Sequence, residues 1–225
     1  MTCVRRDDLA CVVQAGGLSS RMGFDKATAS FLGEPLVRRV LGRIAPVAGE
    51  LLVTSVRPRE LAFLEREPIC RLDVRVHHDL PGAPGAMRGI ASSLAAATSP
   101  LVAIVACDMP FVSPDLIAAL AERLIRDGLD ACVPRTSRGL EPLCAVWRRD
   151  SCLPIARDLL ETDRQRIRFL IDRVNTGFIE EDEIIGVTGS LSCFENVNTP
   201  GEFSRAEEAA RSESLSGMDM PVARP

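Results

Sequence analysis

Four residues near the start of the chain could cradle an anion: Gly16 and Gly17, then Arg21 and Lys26. Adjacent glycines let backbone N–H groups turn outward and adopt φ values closed to other residues, which is what wrapping a phosphate requires. Arg21 and Lys26 add positive charge beside that cradle. Asp108 follows an unbroken apolar run, Leu101–Cys107. A carboxylate at the end of a buried strand can hold Mg²⁺ on a nucleotide's phosphates, because that ion takes one or two carboxylates plus phosphate oxygens and water. Capping a turn is the other use of an aspartate there. The glycine loop fits neither common template. A P-loop needs lysine directly after its last glycine, but Phe24 and Asp25 separate Gly23 from Lys26. A dinucleotide fingerprint needs GxGxxG, and here the glycines adjoin with Ser19 where a third would fall.

Two further clusters carry polar chemistry. His77-His78-Asp79 precedes the glycine- and proline-rich loop Pro81–Gly85. Adjacent strand residues point to opposite faces, so the two histidines do not readily share one metal ion. The loop reads as ligand-facing. Glu195-Asn196-Val197-Asn198 presents two amides just before Thr199-Pro200-Gly201-Glu202, a capping box with proline at the first helical position.

The elements that must position these residues alternate. Strands are expected at Leu9–Val13, Leu51–Val56, Val74–His77 and Leu101–Cys107. Helices are expected at Pro35–Val47, Arg59–Glu67 and Met87–Ala97, and from Ser113-Pro114-Asp115 onward. The Leu101–Cys107 run is apolar on both faces, as in the middle of a parallel sheet. This order predicts a doubly wound α/β sheet. Beyond it the pattern is less regular, with strands at Ala131–Pro134 and Pro142–Trp147 forming a mixed-direction edge. Helices follow at Ile155–Leu160, at Ile167–Val174 and from Thr199. One domain over 1–211 and a disordered tail over 212–225 are expected.

Composition excludes several classes. With 46% hydrophobic and 26% charged residues the chain reads as a soluble globular protein. A net charge of −4 exerts no general pull toward nucleic acid or an anionic membrane. None of the eight cysteines forms a CxxC pair, and Cys11, Cys107, Cys132 and Cys144 lie in apolar strand-like runs, as expected of reduced core residues. No signal peptide and no membrane span is legible, which predicts a cytoplasmic protein.

Taken together, AGGLSSRMGFDK at 15–26, the Asp79–Gly89 loop, ACDMPF at 106–111 and NVNTPGEF at 196–203 resemble the molybdenum cofactor guanylyltransferase (MobA) family. The resemblance spans about residues 8–210. It implies a three-layer Rossmann-like nucleotidyltransferase fold, α/β with a mostly parallel central sheet. It also implies Mg²⁺-dependent transfer of GMP from GTP to molybdopterin, with pyrophosphate released and molybdoenzymes or their chaperones as partners. Carried over by motif, Gln14, Ala15, Gly16 and Gly17 contact guanine and phosphates. Arg21 and Lys26 lie along the phosphates, with Thr54 and Asp79 near the nucleoside. Asp108 holds the metal, Asn196 and Asn198 face the acceptor, and a basic residue of 164–168 helps hold it.

Gln14, Thr54 and Glu141 depart from the family pattern, which has an apolar residue, Asn, and His or Gln there. The adjacent Gly16-Gly17 resembles guanylyl rather than cytidylyl members. A cytidylyltransferase, a transferase with another phosphorylated acceptor, and a non-catalytic nucleotide-binding module are the competing readings.

Overall fold

The computed structural model describes residues 4–16, 26–162 and 165–216. Strand β1 (Arg6–Gln14) contains the buried run Leu9–Val13. A short hairpin follows, β2 (Ser30–Phe31) and β3 (Glu34–Pro35), turning through Leu32 and Gly33 at φ 51° and 89°. Helix α1 (Leu36–Ile44) ends three residues before the expected Val47. Pro46 has no N–H to continue the helix, and residues 45–47 tighten into a 3₁₀ turn. After β4 (Ala48–Ser55), the segment Pro58–Arg66 is a 3₁₀ helix and not the expected α-helix. Its buried Leu61 and Leu64 sit three apart and so share a face at that pitch.

Strand β5 (Val74–His78), helix α2 (Ala86–Ala96), strand β6 (Leu101–Ala106) and helix α3 (Pro114–Arg126) follow as expected. The Ser113 hydroxyl caps α3 by accepting from the Leu116 N–H. Next come β7 (Ala131–Thr136), β8 (Gly139–Leu140) and β9 (Cys144–Arg148). Helix α4 (Arg149–Leu160) starts six residues before the expected Ile155 and runs through Pro154. Burial of Cys152, Leu153, Ala156 and Leu159 outweighs the backbone bond that proline forfeits.

Helix α5 (Ile167–Ile171) is shorter than expected. Strand β10 (Thr176–Glu180) and helix α6 (Glu181–Thr188) have no counterpart in the sequence reading. Helix α7 (Pro200–Ser216) continues past residue 211, where order was expected to end. Its inner face buries Phe203, Ala206 and Ala210, which anchors the helix up to that limit. Residues 217–225 lie outside the described ones.

The sheet order is β10-β7-β9-β6-β1-β4-β5, with β8 paired to β7. Strands β6, β1, β4 and β5 are mutually parallel. The mixed direction expected at an edge lies further in, because antiparallel β9 sits between β6 and β7. Odd residues of β1 pack with α1, α3 and α6 on one face, and even residues with α2, α4 and α5 on the other. Three layers result. A separate small core joins the β2–β3 hairpin, Phe111, Val197 and α7. Within it the Phe31 and Phe203 rings meet edge to face at 5.4 Å.

Candidate active site

Chain order runs outward from β1 through β4 to β5, then returns to place β6 on the other side of β1. Ligands of open α/β sheets bind outside the strand ends where order reverses in this way. A cavity of about 440 Å³ opens at that point. Its walls come from the ends of β1 and β6, Asp79 after β5, the first turn of α2, Lys26 and Leu143.

Backbone bonds fix the floor. The Ala15 N–H donates to the Thr54 carbonyl at 2.8 Å, and the Cys107 N–H to the Gln14 carbonyl at 3.1 Å. The Ser55 hydroxyl donates to the Ala15 carbonyl at 3.1 Å. Gly16 closely approaches Asp79: a Cβ there would lie 2.5 Å from Asp79 Oδ2, so a larger residue would displace that carboxylate. Gln14 reaches inward, its amide donating to Ser93 Oγ at 3.4 Å. A Cβ on Gly89 would overlap the Gln14 amide, so that helical glycine makes room for it.

Three residues far apart in sequence meet at Lys26, which lines the cavity together with Asp108. Lys26 Nζ donates to Asn198 Oδ1 at 2.6 Å and lies 3.5 Å from Asp108 Oδ2. The Val197 N–H donates to the Asp108 carbonyl at 3.0 Å, which ties the 195–198 segment to the β6 loop. Behind that loop, Arg39 and Arg43 on α1 donate to the carbonyls of Pro110 and Val112 at 3.1 and 2.7 Å. Glu202 accepts from the Asn198 and Thr199 N–H groups at 2.7 and 3.0 Å, and the Thr199 hydroxyl accepts from the Glu202 N–H. That is the expected capping box, and it orients Asn198.

A second part of the lining is Asp79 and Arg88. Arg88 Nη2 lies 3.9 Å from Asp79 Oδ2, while its Nη1 donates to the Gly82 carbonyl at 3.2 Å. Burial pushes the carboxyl of Asp79 above its ordinary range, against the pull of Arg88, His78 and Thr54. Burial likewise pushes up Asp108, against the charge and hydrogen bond of Lys26. Both anions are held where water solvates them poorly, so a cationic ligand at either would be favoured.

Other expected site residues fall elsewhere. Thr54 is fully buried behind the cavity, its hydroxyl 3.5 Å from Ser93 Oγ. Asn196 is exposed, two residues from Asn198. Gly17, Arg21 and Arg164 lie outside the described residues. Leu143, not Glu141, lines the cavity. Among the described residues, no group of three or more His, Cys, Asp or Glu side chains could hold a metal. The sequence reading did not single out Arg88, although a cation near the start of a helix with no acid in its first turn is a legible signal.

A parallel-dominated α/β sheet whose switch-point cavity gathers Lys26, Asp79, Arg88 and Asp108 in a largely apolar lining has the architecture of a nucleotide-binding enzyme. The chain belongs to the MobA-like NTP transferase domain family, whose profile matches residues 11–177. A probable molybdenum cofactor guanylyltransferase of Natronomonas pharaonis is 37% identical over 202 residues, covering 88% of this chain and 96% of its own. The molybdenum cofactor guanylyltransferase of Vibrio cholerae is 28% identical over 199 residues, covering 88% and 91%. The crystal structure of molybdopterin-guanine dinucleotide biosynthesis protein A from Archaeoglobus fulgidus shares the fold. It superposes with a TM-score of 0.76 at 24% identity, covering 90% of this chain and 99% of that one.

Proposed function

We propose that this protein transfers GMP from GTP to molybdopterin in its molybdenum complex, forming the guanine dinucleotide cofactor and releasing pyrophosphate. The observation that carries this reading is the meeting of Lys26 and Asp108 in the lining of a switch-point cavity, with Asn198 hydrogen-bonded to Lys26 beside it. The relatives named above for that activity give it its substrates. An oxygen of the acceptor's terminal phosphate attacks the α-phosphorus of GTP, and the bond to the β-phosphate oxygen breaks. That nucleophile is already an anion near neutral pH, so no strong general base is needed.

Catalysis in this scheme is positioning plus charge neutralisation. Lys26 stabilises negative charge on the transferring phosphate, and Asn198 holds the Lys26 ammonium in place. Gln14, Ala15, Gly16 and Gly17 line the nucleotide, Arg21 adds charge along the phosphates, and Asn196 and Asn198 border the acceptor. Asp108 fits a divalent cation, Mg²⁺ in this proposal, because its carboxylate lines the cavity where a nucleotide's phosphates would supply further oxygens. When bound, that ion would supply charge neutralisation at the phosphates. Thr54 acts from behind, through Ser93.

A cytoplasmic setting is part of the same proposal. Cys11, Cys132, Cys144, Cys152 and Cys193 are buried core thiols, and no helix among the described residues is long and apolar enough to cross a membrane. Molybdoenzymes or their chaperones would receive the product. Incubation with labelled GTP or CTP, Mg²⁺ and molybdopterin tests the reading. Label transfer from GTP is expected, and transfer from CTP alone would overturn it.

A further inference from the structure

Arg88 belongs to the cavity, yet nothing above gives it a role in the reaction. It stands on the first turn of α2, whose Gly85 cap offers no side chain and whose first turn carries no acid. A cation there opposes the helix dipole. Its Nε is buried without a hydrogen-bond partner among the described residues. Asp79 beside it is 6% exposed and lines the same cavity, and its Oδ1 also lacks a partner among those residues. At 3.9 Å the two side chains do not satisfy one another. Leaving both groups short of partners is costly unless a ligand supplies the missing ones.

The ligand edge that suits them can be read from the donors. A carboxylate offers only acceptors and a guanidinium only donors. Side by side, they match an edge with two adjacent donors followed by an acceptor. Guanine has that order in its amino group, N1–H and O6. Cytosine and adenine place a single amino donor beside a ring-nitrogen acceptor, and uracil flanks its one N–H with two carbonyls.

We propose that Arg88 determines nucleobase specificity, donating to guanine O6 while Asp79 accepts from the guanine N–H groups. This rests on the guanylyl-transfer reading and names the residues that choose its base. Lys26 and Asp108 hold the phosphate end in that reading, which leaves the nucleoside for the Asp79–Arg88 pair.

The test is calorimetric affinity for GTP, CTP and ITP, with Mg²⁺, on wild type, Arg88→Met and Arg88→Lys. Wild type is expected to prefer GTP, with ITP weaker because it lacks the amino group that Asp79 accepts from. Arg88→Met is expected to reduce the GTP-to-CTP affinity ratio roughly 10- to 100-fold, the scale of one good base-edge contact. Arg88→Lys keeps the charge and loses the fork, so it should recover only part of that ratio. A merely structural role for Arg88 would weaken GTP and CTP alike. An unchanged ratio in either folded variant of a GTP-preferring wild type overturns the assignment of Arg88 alone. A wild type that prefers CTP overturns the guanylyl reading and this inference with it.

Discussion

Two polar groupings at the cavity solve opposite problems with the same residue types. At Lys26, Asp108 and Asn198, an ammonium, a carboxylate and an amide already satisfy one another. At Asp79 and Arg88, a carboxylate and a guanidinium stand 3.9 Å apart, each with a buried atom unpartnered among the described residues. The first grouping is preorganised, so charge can be handled there without rearranging the protein. The second is incomplete, which is how a site discriminates between ligands that present different hydrogen-bonding edges. The difference separates where chemistry is expected from where choice is expected.

Variants can break that division. Asp108→Asn should lower turnover at least ~10²-fold, the scale lost with one key electrostatic group. Steady-state kinetics with saturating GTP would check it, and wild-type turnover would remove Asp108 from the reacting centre. Lys26→Met should cost roughly 10- to 100-fold in kcat/KM, as expected for a hydrogen bond to a charged group. Its preference for GTP over CTP should survive; a changed preference would blur the two groupings.

Smaller effects sharpen the picture. Gly16→Ala places a methyl 2.5 Å from Asp79 Oδ2, and this overpacking should cost roughly 1–3 kcal/mol of stability in denaturant melts. Thr199→Ala removes the capping hydroxyl ahead of α7 and should cost about 1 kcal/mol, with Asn198 less well held.

The native carboxyl of Asp79 is raised above its ordinary 3.8, mainly by burial. Between those two values the native state binds more protons than the unfolded state. Wild-type stability therefore falls as pH rises through that window. Asp79→Asn lacks this loss, so its melting temperature should gain on wild type toward neutral pH and the gap should close in acid. A gap independent of pH would mean that the Asp79 carboxyl pays no burial cost.

The parts of the fold legible in sequence are those with near-neighbour signals. The apolar run Leu101–Cys107 did become a central strand, and Ser113-Pro114 did open α3. Strand β10 and helix α6 went unseen because Thr176–Glu180 carries little alternation and α6 buries only Ile184 among its eight residues. Helix α4 was expected to start late, since Pro154 is a helix breaker by local rules alone.

For the site, the sequence by itself determined the chemical inventory: the glycines, Lys26, the carboxylates of Asp79 and Asp108, and the amides before α7. Those follow from residue type and from motifs whose parts are neighbours. Tertiary structure decided the groupings. Lys26 meets Asp108 and Asn198 across separations of 82 and 172 residues because the chain returns from β5 to lay β6 beside β1. The same return sets the start of α2 over the cavity, which is what brings Arg88 to Asp79. Side-chain spacing along the chain encodes periodicity, but which strand ends converge depends on strand order, a property of the whole sheet.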